Sequence, residues 1–231
     1  MAIVKKYQAE IVSLKNSIDG VYTIEFRSLD KPFRYSPGQF LHLALDEYDP
    51  AGQWPESRCF SMQSAPGEEL IKITYAVKGK FTKRMQHELK PGNQVTLKLP
   101  FGDLFTKPHN KTNTVFIAGG TGITPFLSLF THESFNEYTN PRIYLGFRSK
   151  AHNIYHTELN RLQSMDLIPS NSLKFVYEDI DGSLDIQNIF SENDTLSDYF
   201  ISGPPTMIKS FKQALIANGL PTQHILTDDW D

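Results

Sequence analysis

From the N-terminus to about Phe105, apolar residues recur at every second position in short runs. Val21-Tyr22-Thr23-Ile24-Glu25-Phe26-Arg27 alternates, and so do residues 70–75 and 95–99. A strand turns successive side chains to opposite faces, so this period predicts half-buried antiparallel strands. Residues 16–20, 36–38 and 90–93 lie between the runs, and their Gly, Pro, Asn and Asp supply turn dihedrals. About six such strands predict a small closed barrel. Residues 82–89 interrupt the alternation and predict a short helix with Thr82 at its N-cap.

After Lys107-Pro108-His109-Asn110-Lys111 the pattern changes. Short apolar strands at 114–118, 142–147, 173–177 and 198–202 alternate with helical stretches at 124–131, 153–165 and 206–218, which is the order of a parallel α/β sheet. In the last helix Met207, Ile208, Phe211, Leu215 and Ile216 make one apolar stripe, and Gly219 stops it. The expected architecture is therefore two-domain: an antiparallel β-barrel over 1–107 and an α/β nucleotide-binding domain over 108–231.

The length of 231 residues accommodates both domains with a real core in each. A net charge of -3 with scattered basic residues argues against a nucleic-acid or anionic-membrane surface. No apolar run approaches the roughly 18 residues of a membrane span, and the expected setting is cytoplasmic. Cys59 is the single cysteine, so this chain alone cannot build a disulfide, a four-cysteine zinc site or an iron–sulfur cluster. His152 and His156 stand four apart on a predicted helix without the intervening glutamate or a third ligand of a metalloprotease site, and no metal is expected. Glu68-Glu69 and Asp228-Asp229 read as solvated charges.

Residues 114–118 run straight into Gly119-Gly120-Thr121-Gly122-Ile123-Thr124-Pro125. Glycine lets a backbone approach a phosphate and take positive φ, and the N–H groups at a helix start attract an anion. Thr124 as N-cap and Pro125 at the first helical position would define that start. Taken alone, the turn reads either as a phosphate cradle or as a tight strand-to-helix connection without a ligand. Its spacing lacks the third glycine of the usual dinucleotide fingerprint, and no acid ends the next strand to bind a ribose hydroxyl. Arg148, Ser149 and Lys150 occupy that region instead. A basic group there suits a 2′-phosphate, which favours NADPH while leaving NADH possible.

Three further segments accompany the turn in a fixed order: Arg58-Cys59-Phe60-Ser61 and Gly79-Lys80-Phe81-Thr82 in the barrel half, and Ser202-Gly203-Pro204-Pro205-Thr206-Met207 opening the last helix. Together they make nearly the whole chain resemble the ferredoxin–NADP reductase superfamily of flavoenzymes. The resemblance implies that Arg58 pairs with the FAD pyrophosphate, that Phe60 packs on the isoalloxazine where the family commonly has tyrosine, and that Ser61 brings a hydroxyl to flavin N5. It implies a second phosphate contact from Gly79 and Thr82 with Phe81 packing nearby, and backbone hydrogen bonds from Tyr75, Ala76, Val77 and Lys78. Read from residue type alone, Arg58 is a surface arginine, Phe60 a core residue and Thr82 a helix cap.

On the nicotinamide side the resemblance assigns the pyrophosphate to Gly120, Thr121 and Gly122, and brings Thr124 near the flavin. It places a rigid Gly203-Pro204-Pro205 turn beside the nicotinamide, with Met207 starting the helix. Ser202 replaces a frequent cysteine near the reacting carbon. Trp230 and Asp231 are candidates for a lid and a proton partner, or else a frayed tail. The implied activity is hydride transfer from NAD(P)H to FAD, the barrel and the α/β domain each holding one cofactor. Electrons then pass to a separate acceptor such as ferredoxin, flavodoxin or an oxygenase component. The competing expectations are a nucleotide-binding or regulatory module without turnover and, within the enzyme class, the reductase component of an oxygenase or a ferric reductase.

Overall fold

The computed structural model describes residues 3–193 and 195–228, and it divides into two compact units. The first is Met1–Asp103 with Thr124–Ser128, and the second is Leu104–Ile123 with Leu129–Asp231. Trp230 and Asp231 lie outside the described residues.

The first unit contains six strands: β1 (Lys5–Ile18), β2 (Val21–Ser28), β3 (Phe40–Ala44), β4 (Ser57–Ser61), β5 (Leu70–Ala76) and β6 (Gln94–Phe101). They form one antiparallel sheet in the order β4-β3-β6-β1-β2-β5. Beyond β4 the chain reaches the opposite edge, where Gln63 N donates to Lys72 O at 2.7 Å and Lys72 N to Ser64 Oγ at 3.0 Å. These bonds curl the sheet toward closure, as the alternation predicts. Tyr22, Ile24 and Phe26 of β2, Ile71, Ile73 and Tyr75 of β5, and Val95, Leu97 and Leu99 of β6 all enter one core.

Two local expectations change. Residues 16–18 are strand, not turn: Asn16 pairs with Tyr22 and Ile18 with Val21, across a register irregularity that lets polar residues stay in the ladder. The turn tightens to Asp19-Gly20, with Gly20 at φ 70°. Helix α1 (Lys80–Glu88) begins two residues before Thr82.

The second unit carries β7 (Asn113–Gly119), β8 (Asn140–Phe147), β9 (Leu173–Tyr177), β10 (Asp198–Ser202) and β11 (Ile225–Thr227), all parallel, in the order β11-β10-β7-β8-β9. The chain between these strands forms α2 (Thr124–Phe130), whose residues 124–128 group with the first unit, then α3 (His156–Ser164), α4 (Glu178–Asp181), α5 (Ile186–Ser191) and α6 (Pro205–Ala217). Both sheet faces are buried, which explains the near-continuous apolar strands. Val115, Ile117, Tyr199 and Ile201 pack with Ile186, Ile189, Ile208, Phe211 and Leu215. Their neighbours Phe116 and Phe200 stack at 5.4 Å on the opposite face, where Phe116 also meets Phe130 and Phe135.

The strand order reverses between β7 and β10. The chain leaves β7 toward β8 and β9, then returns to place β10 on the other side. At such a switch point the connections at the carboxyl ends diverge and open a crevice, the usual ligand position of an open α/β sheet.

Candidate functional site

In the barrel, Arg58, Phe60, Tyr75 and Phe81 of the predicted residues meet at the seam between the edge strands β4 and β5. Leu41 pairs with Phe60 and Leu43 with Arg58, so Arg58 and Phe60 share the face of those core leucines. Phe60 is half-buried and sets its ring edge against Tyr75 of β5 at 6.1 Å. Arg58 extends over the Phe81 ring of α1 at 5.3 Å, and its guanidinium also meets Glu56 at 2.9 Å and Ser57 O at 2.8 Å at the surface. Side chains rather than ladder hydrogen bonds thus span this part of the seam.

The backbone of β5 offers polar groups there. Val77 N donates to Gly20 O at 2.8 Å, which turns Val77 and Tyr75 toward β2. By alternation the N–H and C=O of Ala76 point away from β2, on the side where Lys72 bonds Gln63 and Ser64. Of Tyr75, Ala76 and Val77 only Ala76 is turned outward, and the Lys78 N–H is taken by the Thr82 hydroxyl at 2.9 Å. Among the described residues the buried Tyr75 hydroxyl has no hydrogen-bond partner, and burial pushes its pKa up, so it stays protonated.

Helix α1 opens on the same seam. Gly79 is the N-cap and Thr82 the third helical residue, correcting the expectation that Thr82 caps. The Thr82 hydroxyl accepts from Lys78 N at 2.9 Å and Gly79 N at 3.1 Å. The first intrahelical bond is from Lys83 N to Gly79 O at 3.0 Å, so the N–H groups of Lys80, Phe81 and Thr82 precede the ladder and suit an anion. Nothing lies within 4 Å of a Cβ built on Gly79, so that approach is open.

Cys59 and Ser61 fall on the other face of β4, paired with His42 and Phe40. Cys59 Sγ is 3.5 Å from His42 Nε2. Burial raises the thiol pKa, and burial with Lys98 lowers that of His42, so both groups favour their neutral forms. A Ser61 contact with a ligand in the seam must come round the strand end.

In the second unit the turns after β7 and β10 interlock through missing side chains. A Cβ on Gly122 would lie 2.5 Å from Gly203 Cα and 2.6 Å from Gly203 N, so the two backbones meet where no side chain fits. Gly203 has φ 151°, and its own Cβ would strike Met207 Cε at 2.7 Å. Gly120 differs: its φ is 56° and a Cβ would meet nothing within 4 Å, so this peptide faces open space. A 3-10 turn over Gly120–Ile123 runs directly into α2, making Thr124 its first residue rather than its N-cap and Pro125 its second. Pro204 precedes α6 and Pro205 is its first residue, a position where a missing N–H costs nothing.

Ser202, the last residue of β10, is 2% exposed and donates from Oγ to Asp228 Oδ2 at 3.0 Å. Residue-by-residue reading missed Asp228. The parallel register of β11 with β10, Ile201 opposite Thr227, is what brings it there, helped by Asp228 N donating to Ile201 O at 3.0 Å. Arg148 and Ser149 follow β8 at the same sheet end. Arg148 is exposed, and Ser149 Oγ pairs with His152 Nδ1 at 2.7 Å. His152 lies in a 3-10 turn and His156 starts α3, so they do not share a helix. Among the described residues no three metal-ligating side chains cluster.

Free N–H groups at a helix start and an open glycine peptide suit phosphate-bearing ligands. Residues 4–145 match the FAD-binding domain family, and residues 116–213 match the oxidoreductase NAD-binding domain. The chain belongs to the FAD-binding domain family. It is 26% identical over 214 residues to the propane 2-monooxygenase reductase component of Mycolicibacterium smegmatis, covering 86% of this chain and 60% of that protein. It is 28% identical over 217 residues to the Rhodococcus jostii counterpart, covering 85% and 55%. The chain therefore spans less than two thirds of these relatives. A ferredoxin NADP+ reductase of Neisseria gonorrhoeae, solved with FAD and NADP, superposes with TM-score 0.76 over 99% of both chains at 18% identity, a likeness of fold.

The two family matches support FAD and NAD(P)H as cofactors. The seam supplies an arginine, an aromatic face, an outward peptide and a helix N-terminus, the donor set an FAD needs. The glycine crevice supplies bare backbone and a buried serine–carboxylate pair. No helix among the described residues is long and apolar enough to cross a membrane.

Proposed function

We propose that this protein is a flavin-dependent oxidoreductase in which residues 1–107 hold FAD, residues 108–231 hold NAD(P)H, and electrons leave to a separate acceptor. The observation that carries this reading is the seam, where Arg58, Phe60, the Ala76 peptide and the start of α1 converge without a ladder to occupy them. When bound, the nicotinamide supplies a hydride, and the flavin accepts it and passes its two electrons on.

The chain's own residues bind and orient. Arg58 and the first N–H groups of α1, reached past Gly79 and steadied by Thr82 and Phe81, hold the flavin pyrophosphate. Phe60 packs on the ring, the Ala76 peptide bonds its polar edge, and Ser61 reaches it from the strand end beside Cys59. Gly120, Thr121 and Gly122 receive the nucleotide pyrophosphate, with Thr124 and Pro125 opening the following helix. Gly203, Pro204, Pro205 and Met207 wall the nicotinamide. The Asp228 carboxylate fixes the Ser202 hydroxyl at that wall, a positioning role.

Arg148 and Ser149 suit a 2′-phosphate, which favours NADPH. Ferredoxin, flavodoxin or an oxygenase component would take the electrons, and the oxygenase reductases among the relatives support that class. Each NAD(P)H oxidised yields two electrons, enough to reduce two molecules of a one-electron carrier, with one proton released. A purified sample tests the reading: yellow protein that bleaches anaerobically on adding NADPH is expected. Colourless protein that neither binds FAD nor oxidises NAD(P)H overturns it.

A further inference from the structure

The second unit holds a cavity at the amino ends of its strands, away from the glycine crevice at their carboxyl ends. It follows from a mismatch of lengths. Strand β7 has seven residues and spans roughly 23 Å, whereas α5, which packs on it, has six and covers only about 9 Å. The helix stops short, and Glu192 and Asn193 at its end border uncovered sheet. Asn113 of β7 pairs with Asn140 of β8 and Val115 with Arg142, which brings these side chains to the lining, and Ser197 joins them from the residue before β10. The space is about 290 Å³, at the lower end for a small-molecule site, and the exposed Asn140, Arg142 and Glu192 stand where it meets solvent.

One side of the cavity is already satisfied. Glu192 accepts from Lys174 Nζ at 3.1 Å and from the Tyr144 hydroxyl at 3.0 Å, and these contacts hold its carboxyl below the usual carboxylate range. Asn193 Nδ2 donates to the Tyr144 hydroxyl at 3.0 Å and to Ile189 O, and Glu192 N donates to the Asn188 and Phe190 carbonyls, so the end of α5 is capped. The other side is not. Ser197 is 3% exposed, yet among the described residues its hydroxyl has no hydrogen-bond partner, and neither do the amides of Asn113 and Asn140. Arg142 has no ion-pair partner among the described residues, and its hydrogen bond to Asn171 O is stretched to 3.5 Å. A buried hydroxyl left unpaired is costly, so a polar group is needed to complete it. Donors gathered round one unbalanced guanidinium favour an oxyanion, whose lone pairs accept from several sides at once.

We propose that this cavity binds a small oxyanion, a carboxylate or phosphate group on a molecule no larger than citrate, with Arg142 as counter-charge and Ser197, Asn113 and Asn140 as hydrogen-bond donors. The site lies apart from both cofactor regions and does not depend on the flavin-reductase reading. An amine fits poorly, because Glu192, the carboxylate lining the cavity among the described residues, is engaged by Lys174 and Tyr144. The test uses the full isotope-labelled chain, first alone and then saturated with FAD and NADP+. Citrate, inorganic phosphate and the diamine putrescine are titrated separately, followed by calorimetry and by the side-chain amide signals of Asn113 and Asn140.

The expected result is that citrate, phosphate or both bind, shift those amide signals, and bind equally well once FAD and NADP+ are present. Citrate alone marks a carboxylate ligand and phosphate alone a phosphate one. Arg142→Gln, a change at an exposed position that leaves the melting temperature unaltered, should weaken binding about tenfold to a hundredfold, and Ser197→Ala about tenfold. Arg161→Gln, at an exposed arginine of α3, should change nothing. Failure of both anions to bind, displacement by FAD or NADP+, or unmoved Asn113 and Asn140 signals overturns the proposal. So does an equal loss in Arg161→Gln, or tighter binding of putrescine than of either anion.

Discussion

The two binding regions are built by opposite means. The barrel seam presents side chains: a guanidinium over Phe81, a phenyl edge on Tyr75, a threonine hydroxyl collecting two N–H groups. The α/β crevice is made by their absence, with Gly122 and Gly203 in backbone contact and Gly120 facing open space. A site of side chains loses one interaction when one residue is shortened. A site of bare backbone fails when any atom is added. The two regions should therefore respond to mutation in different currencies, ligand affinity in the first and local structure in the second.

The largest effect is expected from Gly122→Ala, because the new Cβ meets backbone that cannot swing aside. We expect destabilisation of about 3 kcal/mol, at the upper end for overpacking, with loss of nucleotide binding, measured by thermal melting and NADPH titration. Gly120→Ala is the internal control: only the positive φ is strained, at about 1 kcal/mol, so the fold should survive. Equal damage from both would break the contrast.

Next comes Arg58→Ala. Its ion pair with Glu56 is exposed, so stability should change by less than about 0.5 kcal/mol. FAD should bind about tenfold to a hundredfold more weakly, the loss of one charge-assisted contact of about 1.5 to 3 kcal/mol, read by flavin fluorescence on dilution. A change in melting with unaltered FAD affinity would reverse the assignment.

A smaller effect is expected for Arg148→Ala, a side-chain contact belonging to the backbone-built half. The NADPH-to-NADH ratio of kcat/KM should fall about tenfold. If the ratio holds, the reason for favouring NADPH is wrong.

The smallest concerns His42, on the barrel's other face. Burial and Lys98 depress its pKa from 6.5, so the unfolded chain binds the proton more readily. Its contribution to stability is complete above pH 6.5 and diminishes as the pH falls below that value. In His42→Gln, the decline in urea midpoint between pH 7 and pH 5 should be shallower than in the unaltered protein.

Much of the fold is legible where burial and period coincide. Strands β9 and β10 begin and end where the apolar runs do, because turn residues bound them. Strand β11 escapes notice because three residues carry no period of their own and become a strand only beside β10. Residues 16–18 mislead for the converse reason: Asn and Ser favour turns locally, yet cross-strand pairing with β2 overrides that preference. Asp228 sits next to Asp229 in a polar tail and looks like a solvated charge, and only the register of β11 brings it to Ser202. The glycine turns and the Arg58 segment are visible because their chemistry is local. The outward turn of Ala76 is not, since it depends on which edge of β5 its partner takes.

The meeting of Gly122 with Gly203 also bears on how the molecule forms. These positions lie at opposite ends of the second half's chain, and β10 must insert beside β7 before they can touch. Closing so long a loop is entropically slow, so this contact belongs among the late events of folding. The glycine crevice is therefore a product of the finished sheet rather than of the local glycine motif. A chain still lacking β10 would carry every residue of the first glycine turn and have no crevice to show for it.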